Sequence, residues 1–206
     1  MSGPRPDPDP AVPFPTRLVL ARHGETEWSR TGRHTGRTDI PLTARGREQA
    51  ERLGRALRGR TFSRVLSSPL VRAVDTCRIA GFGDRVELLD DLREWDYGAY
   101  EGRTRAEIAG EVPGWTVWTH PIVDWESLIE LGRRADRVIA ATLPIGGDVL
   151  LFSHGHILRV LAARWIEQRP VLGSRLELAT ATLSELGWEQ DRRVIEGWNA
   201  SNDRPG

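Results

Sequence analysis

An arginine and a histidine stand side by side where an apolar run stops: Leu18-Val19-Leu20-Ala21 is followed at once by Arg22-His23-Gly24-Glu25. Imidazole is a nucleophile that can be neutral near pH 7, and the planar guanidinium fork matches a phosphate. The same ending recurs where Leu150-Leu151-Phe152 gives way to Ser153-His154-Gly155. Each run reads as a buried strand, and the glycine after each histidine lets the backbone turn sharply and come close to a ligand. A single histidine of this kind reads as an ordinary core or surface residue. Two at matching strand ends point to one site at the carboxyl edge of a parallel sheet, where open α/β folds bind ligands. The chemistry on offer is nucleophilic work on a phosphate ester. A leaving alcohol needs a proton, so a carboxylic acid should stand near His23. Glu94, Asp96 and Glu101 in the aromatic-rich stretch 91–102 all qualify by chemistry alone.

Positioning these groups requires strands that alternate with helices. Residues 17–21 read as a strand and 22–41 as a long polar loop, a length usually tied to function. Thr43 caps a helix running to about residue 58, with apolar positions at Ala50, Leu53 and Leu57. A strand follows at 65–68, then a helix from Pro69 through 80 and a strand at 86–89. Residues 105–111 and 126–142 read as helices separated by a Trp-rich linker, 113–125. The most apolar strand is 148–153, followed by a helix at 157–167. The stretches 180–187 and 192–198 alternate like two antiparallel strands. The pattern predicts a mainly parallel sheet covered on both faces, a three-layer α/β/α sandwich. It forms one domain over residues 16–200, with a disordered leader at 1–15 and a short tail at 201–206.

Composition narrows the function further. The 206 residues carry 29 basic and 29 acidic side chains, a net charge of zero that removes the electrostatic argument for nucleic acid or an acidic membrane. Every basic residue is arginine, which excludes Schiff-base chemistry and the lysine-dependent phosphate loop. Cys77 is the sole cysteine, so no intramolecular disulfide forms; its setting in a helix suggests a small buried residue. No stretch approaches a membrane span, and the Pro-Asp start lacks the apolar core of a signal peptide, so the expected compartment is the cytoplasm.

With Gly32-Arg33-His34-Thr35-Gly36, Pro41-Leu42-Thr43-Ala44-Arg45-Gly46, Ser67-Ser68-Pro69-Leu70-Val71-Arg72-Ala73 and Asp91-Leu92-Arg93-Glu94-Trp95-Asp96-Tyr97 added, the chain resembles the histidine phosphatase superfamily in its phosphoglycerate mutase-like branch. Within it, these strings look most like the mutase-like acid phosphatases and sedoheptulose bisphosphatases. The resemblance implies a mutase-like α/β fold. It gives His23 the role of nucleophile, Arg22 and Arg72 those of phosphate ligands, and His154 that of a second histidine bonding the phosphoryl oxygens. It selects Glu94 as the acid, with Trp95 and Tyr97 shielding it. Gly24, Ser29, Thr35, Gly36, Tyr97, Arg105 and Gly155 fall in or near the expected substrate site. Glu25 would be structural.

Departures from the mutases bear on activity. Ser29 replaces an asparagine, Arg105 takes the approximate place of a lysine, an adjacent arginine pair is missing, and Trp125-Glu126-Ser127 stands where glycine usually precedes Glu-Ser. The implied activity is a metal-independent, cofactor-free phosphatase acting on small phosphomonoesters, sugar phosphates among them, through phosphohistidine. A phosphoglycerate mutase and a non-catalytic phospholigand-binding protein are the alternatives. The expected partner is a small phosphorylated metabolite, with neither nucleic acid nor membrane; oligomeric state is unreadable.

Overall fold

The computed structural model describes residues 15–120 and 125–201. Apart from Pro15 and Ser201, the expected leader and tail lie outside the described residues, as does part of the Trp-rich linker. Strands β1 (Arg17–Arg22), β2 (Arg64–Ser67), β3 (Val86–Leu88), β4 (Asp148–Ser153), β5 (Leu183–Glu189) and β6 (Arg192–Ala200) form one sheet in the order β3-β2-β4-β1-β5-β6. The first four in that order run parallel, whereas β5 and β6 are antiparallel additions at the β1 side. The period of two in strand side chains sorts the core by face. Leu18, Leu20 and Leu151 pack into the layer holding helices α5 (Leu128–Thr142) and α6 (Gly155–Trp165). Val19, Ala21, Leu150 and Phe152 pack instead against Leu53 of α2 (Ala44–Ala56) and Cys77 of α3 (Val71–Cys77). The expected mainly parallel sandwich is therefore present, and Cys77 is buried in it with its thiol pushed up to about 12 by burial.

Element ends depart from the sequence reading for identifiable reasons. The loop at 22–41 contains one helical turn, α1 (Glu27–Arg30), because Thr26 and Ser29 cap each other's backbone reciprocally. Helix α3 starts at Val71, two residues after Pro69; Leu70 stays extended, and Asp39 accepts the Val71 N–H at 2.8 Å. Past Cys77 the helix widens into a π turn over Arg78–Phe82, broken at Gly81 with φ 94°. Between β3 and α5 lies α4 (Arg105–Glu111), capped by Thr104 and Glu107. Helix α5 begins at Leu128, since Ser127 caps it and Glu126 is committed to Arg134. Strand β5 begins three residues later than expected because the Ala181 N–H turns onto the carbonyls of Arg22 and His23. Helix α6 starts at Gly155, two residues earlier than the sequence suggested, with His154 as its N-cap.

Candidate active site

Strand register brings the two histidines together. Arg22 pairs with Ser153 and Ser67 with Phe152, so β1, β4 and β2 end at one level. The His23 N–H bonds the Ser153 carbonyl at 2.9 Å, and the two imidazole centroids lie 5.2 Å apart. Glycine is required beside the first histidine. A Cβ on Gly24 would stand 2.3 Å from the Gly46 carbonyl oxygen, so the loop after β1 packs backbone to backbone on the start of α2. Glu25 secures that contact, its carboxylate accepting the Thr43 hydroxyl at 2.9 Å.

His23 is 4% exposed. Its Nδ1 donates to the Gly24 carbonyl at 2.7 Å, which leaves the Nε2 lone pair free. Burial, with Arg72 and Arg22 close by, holds its pKa well below the usual histidine value of 6.5. The ring is thus neutral, with its tautomer fixed and the Nε2 lone pair unengaged. Arg22 donates to the Leu178 carbonyl, while its Nε has no partner among the described residues. Gly155 packs beside this guanidinium, where a Cβ would make an ordinary contact 3.4 Å from the Arg22 Cζ.

Arg72 is fully buried, and its donors are distributed inward: Nε to His154 Nδ1 at 3.0 Å, Nη1 to the Thr38 carbonyl at 3.0 Å, and Nη2 to the carbonyls of Thr35 and Gly36 at 3.1 and 2.9 Å. Because Arg72 donates to Nδ1, His154 carries its proton on Nε2 and gives it to the Ser68 hydroxyl at 2.7 Å. Burial first, then Arg72, keeps His154 neutral well below its ordinary titration range. These two residues back the His23 ring instead of lining the 180 Å³ pocket beside it. Two buried guanidinium charges, with one carboxylate whose field reaches both, suit a phosphoryl dianion.

That carboxylate is Glu94, 7% exposed and on the pocket wall with His23 and Arg22. Its Oε1 accepts the backbone N–H groups of Trp95 and Ile157 at 2.9 and 3.0 Å, and its Oε2 accepts that of His156 at 3.0 Å. Two of these donors come from the first turn of α6, whose early start therefore matters to the site. The segment around Glu94 is pinned by Arg134 of α5, which bonds the carbonyls of Asp91, Arg93 and Glu94 and pairs with Glu126 at 2.7 Å. Asp96 faces elsewhere, paired with Arg37, and Glu101 caps the backbone at residues 37–38. Of the three candidate acids, Glu94 alone lines the pocket with His23.

The remaining expected residues divide. Ser29, Thr35, Tyr97 and Gly155 line the pocket, although the Ser29 hydroxyl is engaged with Thr26 in the α1 cap. Gly24 and Gly36 stand outside the lining, Gly36 packed so closely on Trp95 and Glu101 that a Cβ would clash. Arg105 is exposed and lines an adjoining 830 Å³ chamber, which shares His34, His156 and Arg159 with the pocket. Of the clustered tryptophans, Trp95 and Trp115 are core, Trp118 lines the chamber and Trp125 is 49% exposed. Among the described residues no group of three or more His, Cys, Asp or Glu is placed to hold a metal ion. No helix among them is long and apolar enough to cross a membrane.

Sequence reasoning missed Arg134, His156 and Arg159. Arg134 carried a signal: a charged residue on the same face of α5 as buried Leu131, Ala135 and Val138. His156, bonded to the Tyr97 hydroxyl at 2.6 Å, and Arg159 are a helical turn apart on α6, a relation visible only once that helix starts at Gly155.

The sequence matches the family model of the histidine phosphatase superfamily (branch 1) over residues 18–201. An acid phosphatase from Mycobacterium tuberculosis is 42% identical over 183 residues, covering 87% of this chain and 90% of that protein. A sedoheptulose 1,7-bisphosphatase from Saccharomyces cerevisiae is 35% identical, covering 72% of this chain and 67% of its own. Among solved structures, an open reading frame product of Mycobacterium tuberculosis superposes with a TM-score of 0.85 at 39% identity, covering 91% of this chain and 98% of that one. A match running from β1 to the end of β6, with relatives of that identity and coverage, makes the chain a member of the histidine phosphatase superfamily.

Proposed function

We propose that the protein is a cytoplasmic, metal-independent phosphomonoesterase that releases phosphate from small phosphorylated metabolites, sugar phosphates foremost, through a phosphohistidine at His23. The observation that carries this reading is the neutral, buried His23, whose Nδ1 proton is committed to Gly24 beside the open Nε donor of Arg22. In the first step Nε2 forms a bond to phosphorus as the bond to the leaving oxygen breaks. The proton that oxygen needs comes from Glu94, and the positive ring is steadied by the Gly24 carbonyl. Phosphoryl transfer is loose in its transition state, so catalysis rests on positioning and charge, which Arg22 and Arg72 supply. In the second step water attacks phosphorus, Glu94 takes its proton, and the nitrogen–phosphorus bond breaks to restore His23. The acid phosphatase and bisphosphatase names of the relatives support hydrolysis. So does the opening of the pocket, past His156 and Arg159, into a wider chamber that admits water.

A screen over sugar phosphates, phosphoglycerates and nucleotides after dialysis against a strong chelator tests the reading. Inorganic phosphate should appear at an undiminished rate. Interconversion of phosphoglycerates without phosphate release would make the protein a mutase, and rescue by magnesium or zinc would expose a missed metal site.

A further inference from the structure

The Nδ1 proton of His23 goes to one particular carbonyl, that of Gly24, at 2.7 Å. The amide that contains this carbonyl also contains the Glu25 N–H, on the opposite side of its plane axis. That N–H is taken by the side-chain oxygen of Gln49 at 2.7 Å. A continuous line of hydrogen bonds therefore runs from Gln49 on α2, through one rigid peptide plane, to the ring of His23. Gln49 is half-buried and does not itself line the phosphate pocket.

Helix α2 is shaped to receive that peptide. Gly46 and Gln49 stand three residues apart and share a face of the helix. A Cβ at Gly46 would lie 2.1 Å from the Glu25 carbonyl oxygen and 2.9 Å from the Glu25 nitrogen, so only glycine lets the loop settle there. The peptides on either side are tied down separately. The Thr43 N–H bonds the Glu25 carbonyl at 3.0 Å. The Gly24 N–H bonds the buried Thr76 hydroxyl at 3.0 Å, which in turn donates to the Arg72 carbonyl at 2.7 Å. What remains free is rotation of the Gly24–Glu25 plane, and glycine at position 24 resists it least of all residues. Gln49 stops that rotation. Its bond also polarises the carbonyl on the other side of the amide, because hydrogen bonds in a chain strengthen one another.

We propose that Gln49 is a positioning residue for the nucleophile: by fixing the plane of the Gly24–Glu25 peptide, it keeps the His23 proton on Nδ1 and the Nε2 lone pair free for phosphorus. The catalytic consequence rests on the phosphohistidine reading above, whereas the tautomer does not. When Nε2 bonds phosphorus the ring becomes positive, and the polarised Gly24 carbonyl steadies it. Gln49 thus does through a peptide what a carboxylate does directly for a catalytic histidine base. The indirect arrangement has a physical advantage here, since it sets no negative charge against the ring that an anionic phosphate must approach.

Two replacements separate the outcomes: Gln49→Met, of similar length but without an acceptor oxygen, and Gln49→Glu, which keeps one. Long-range proton–nitrogen NMR reads the tautomer, with the His23 signals assigned by their absence from the His23→Ala protein. The wild type should show Nδ1 protonated and Nε2 bare. In Gln49→Met the two nitrogen shifts should move toward each other as the second tautomer becomes populated. There kcat should fall about three- to tenfold, the size expected of one orienting hydrogen bond. KM should change little, because Arg22 and Arg72 are untouched. Gln49→Glu should restore both the tautomer and kcat. Should the methionine protein fail to fold, Gln49→Asn, whose amide falls one methylene short, makes the same test. The proposal is overturned if either readout is unchanged in the methionine variant, or if either stays unrestored in the glutamate variant. If the wild type releases no phosphate from any substrate, the phosphatase reading fails, while the tautomer still decides whether Gln49 positions the ring.

Discussion

A carboxylate offers about four lone-pair positions, and three of those on Glu94 accept the N–H groups of Trp95, His156 and Ile157. One position is left, on Oε2, for a proton in transit to the leaving oxygen. Replacement by glutamine therefore does two things. It removes the transferable proton, and it sets an amide NH2 against a backbone N–H wherever it replaces an accepting oxygen. Glu94→Gln should lower kcat for alkyl phosphates by on the order of a hundred- to ten-thousand-fold and change KM much less. For nitrophenyl phosphate, whose leaving group departs without a proton, the loss should be far smaller; steady-state kinetics on both classes checks this. Equal losses on the two would remove Glu94 as the acid. The residue types were legible in the sequence here, and the choice of Glu94 came from the family resemblance, since residue chemistry alone leaves three acids. Asp96 and Glu101 are chemically equivalent and nearby in the chain, and only the fold turns one toward Arg37 and the other toward residues 37–38.

Helix α5 shows how an element distant in sequence holds the segment that carries Glu94, the proposed acid. Arg134 projects from its buried face and closes three carbonyls of the 91–94 segment, with Glu126 completing the charge pair. Truncating one partner of a buried pair leaves the other uncompensated, at a cost of roughly 3–5 kcal/mol. Arg134→Ala should therefore lower stability by about that amount in denaturant melts. It should also reduce kcat with the same leaving-group dependence as the Glu94 variant, because Glu94 loses its support. Arg134→Lys should fail to restore either, since a lysine cannot span three carbonyls with a planar fork. A stable, fully active Arg134→Ala protein would sever this link between helix and acid. The existence of the elements was readable from periodicity and caps, as at Thr43, which caps α2 by accepting the Gly46 N–H at 3.0 Å. Their ends were less so. The two-residue shift of α6 depends on His154 acting as a cap without a side-chain bond to its own helix, a signal that no propensity carries.

Across the whole molecule, neutral composition conceals a concentration of cationic and histidine side chains in one buried place. His23, His154 and His156 all have pKa values held well below 6.5, chiefly by burial. Unfolding returns each to its ordinary value, so the unfolded chain binds more protons below pH 6.5 and stability must fall as pH falls. Each histidine contributes up to about 1.4 kcal/mol per pH unit in the window between 6.5 and its folded value. Thermal melts between pH 7.5 and 5 should show Tm dropping as the solution turns acidic, and His156→Asn should reduce the slope by one proton. A flat profile would mean that these rings are protonated in the folded state. The chemistry of the site was legible because two strand-end motifs sit in a parallel sheet. The chamber was not, since Arg159 and Arg175 converge with Arg105 only through the packing of α6 and the 170–175 turn. The central claim, that phosphorus is passed to His23, is tested most directly by quenching turnover with base and mapping phosphorylated peptides by mass spectrometry. The account predicts an acid-labile phosphoryl group on His23, absent from an inactive His23→Ala protein. Turnover without any adduct, or an active His23→Ala enzyme, would contradict it.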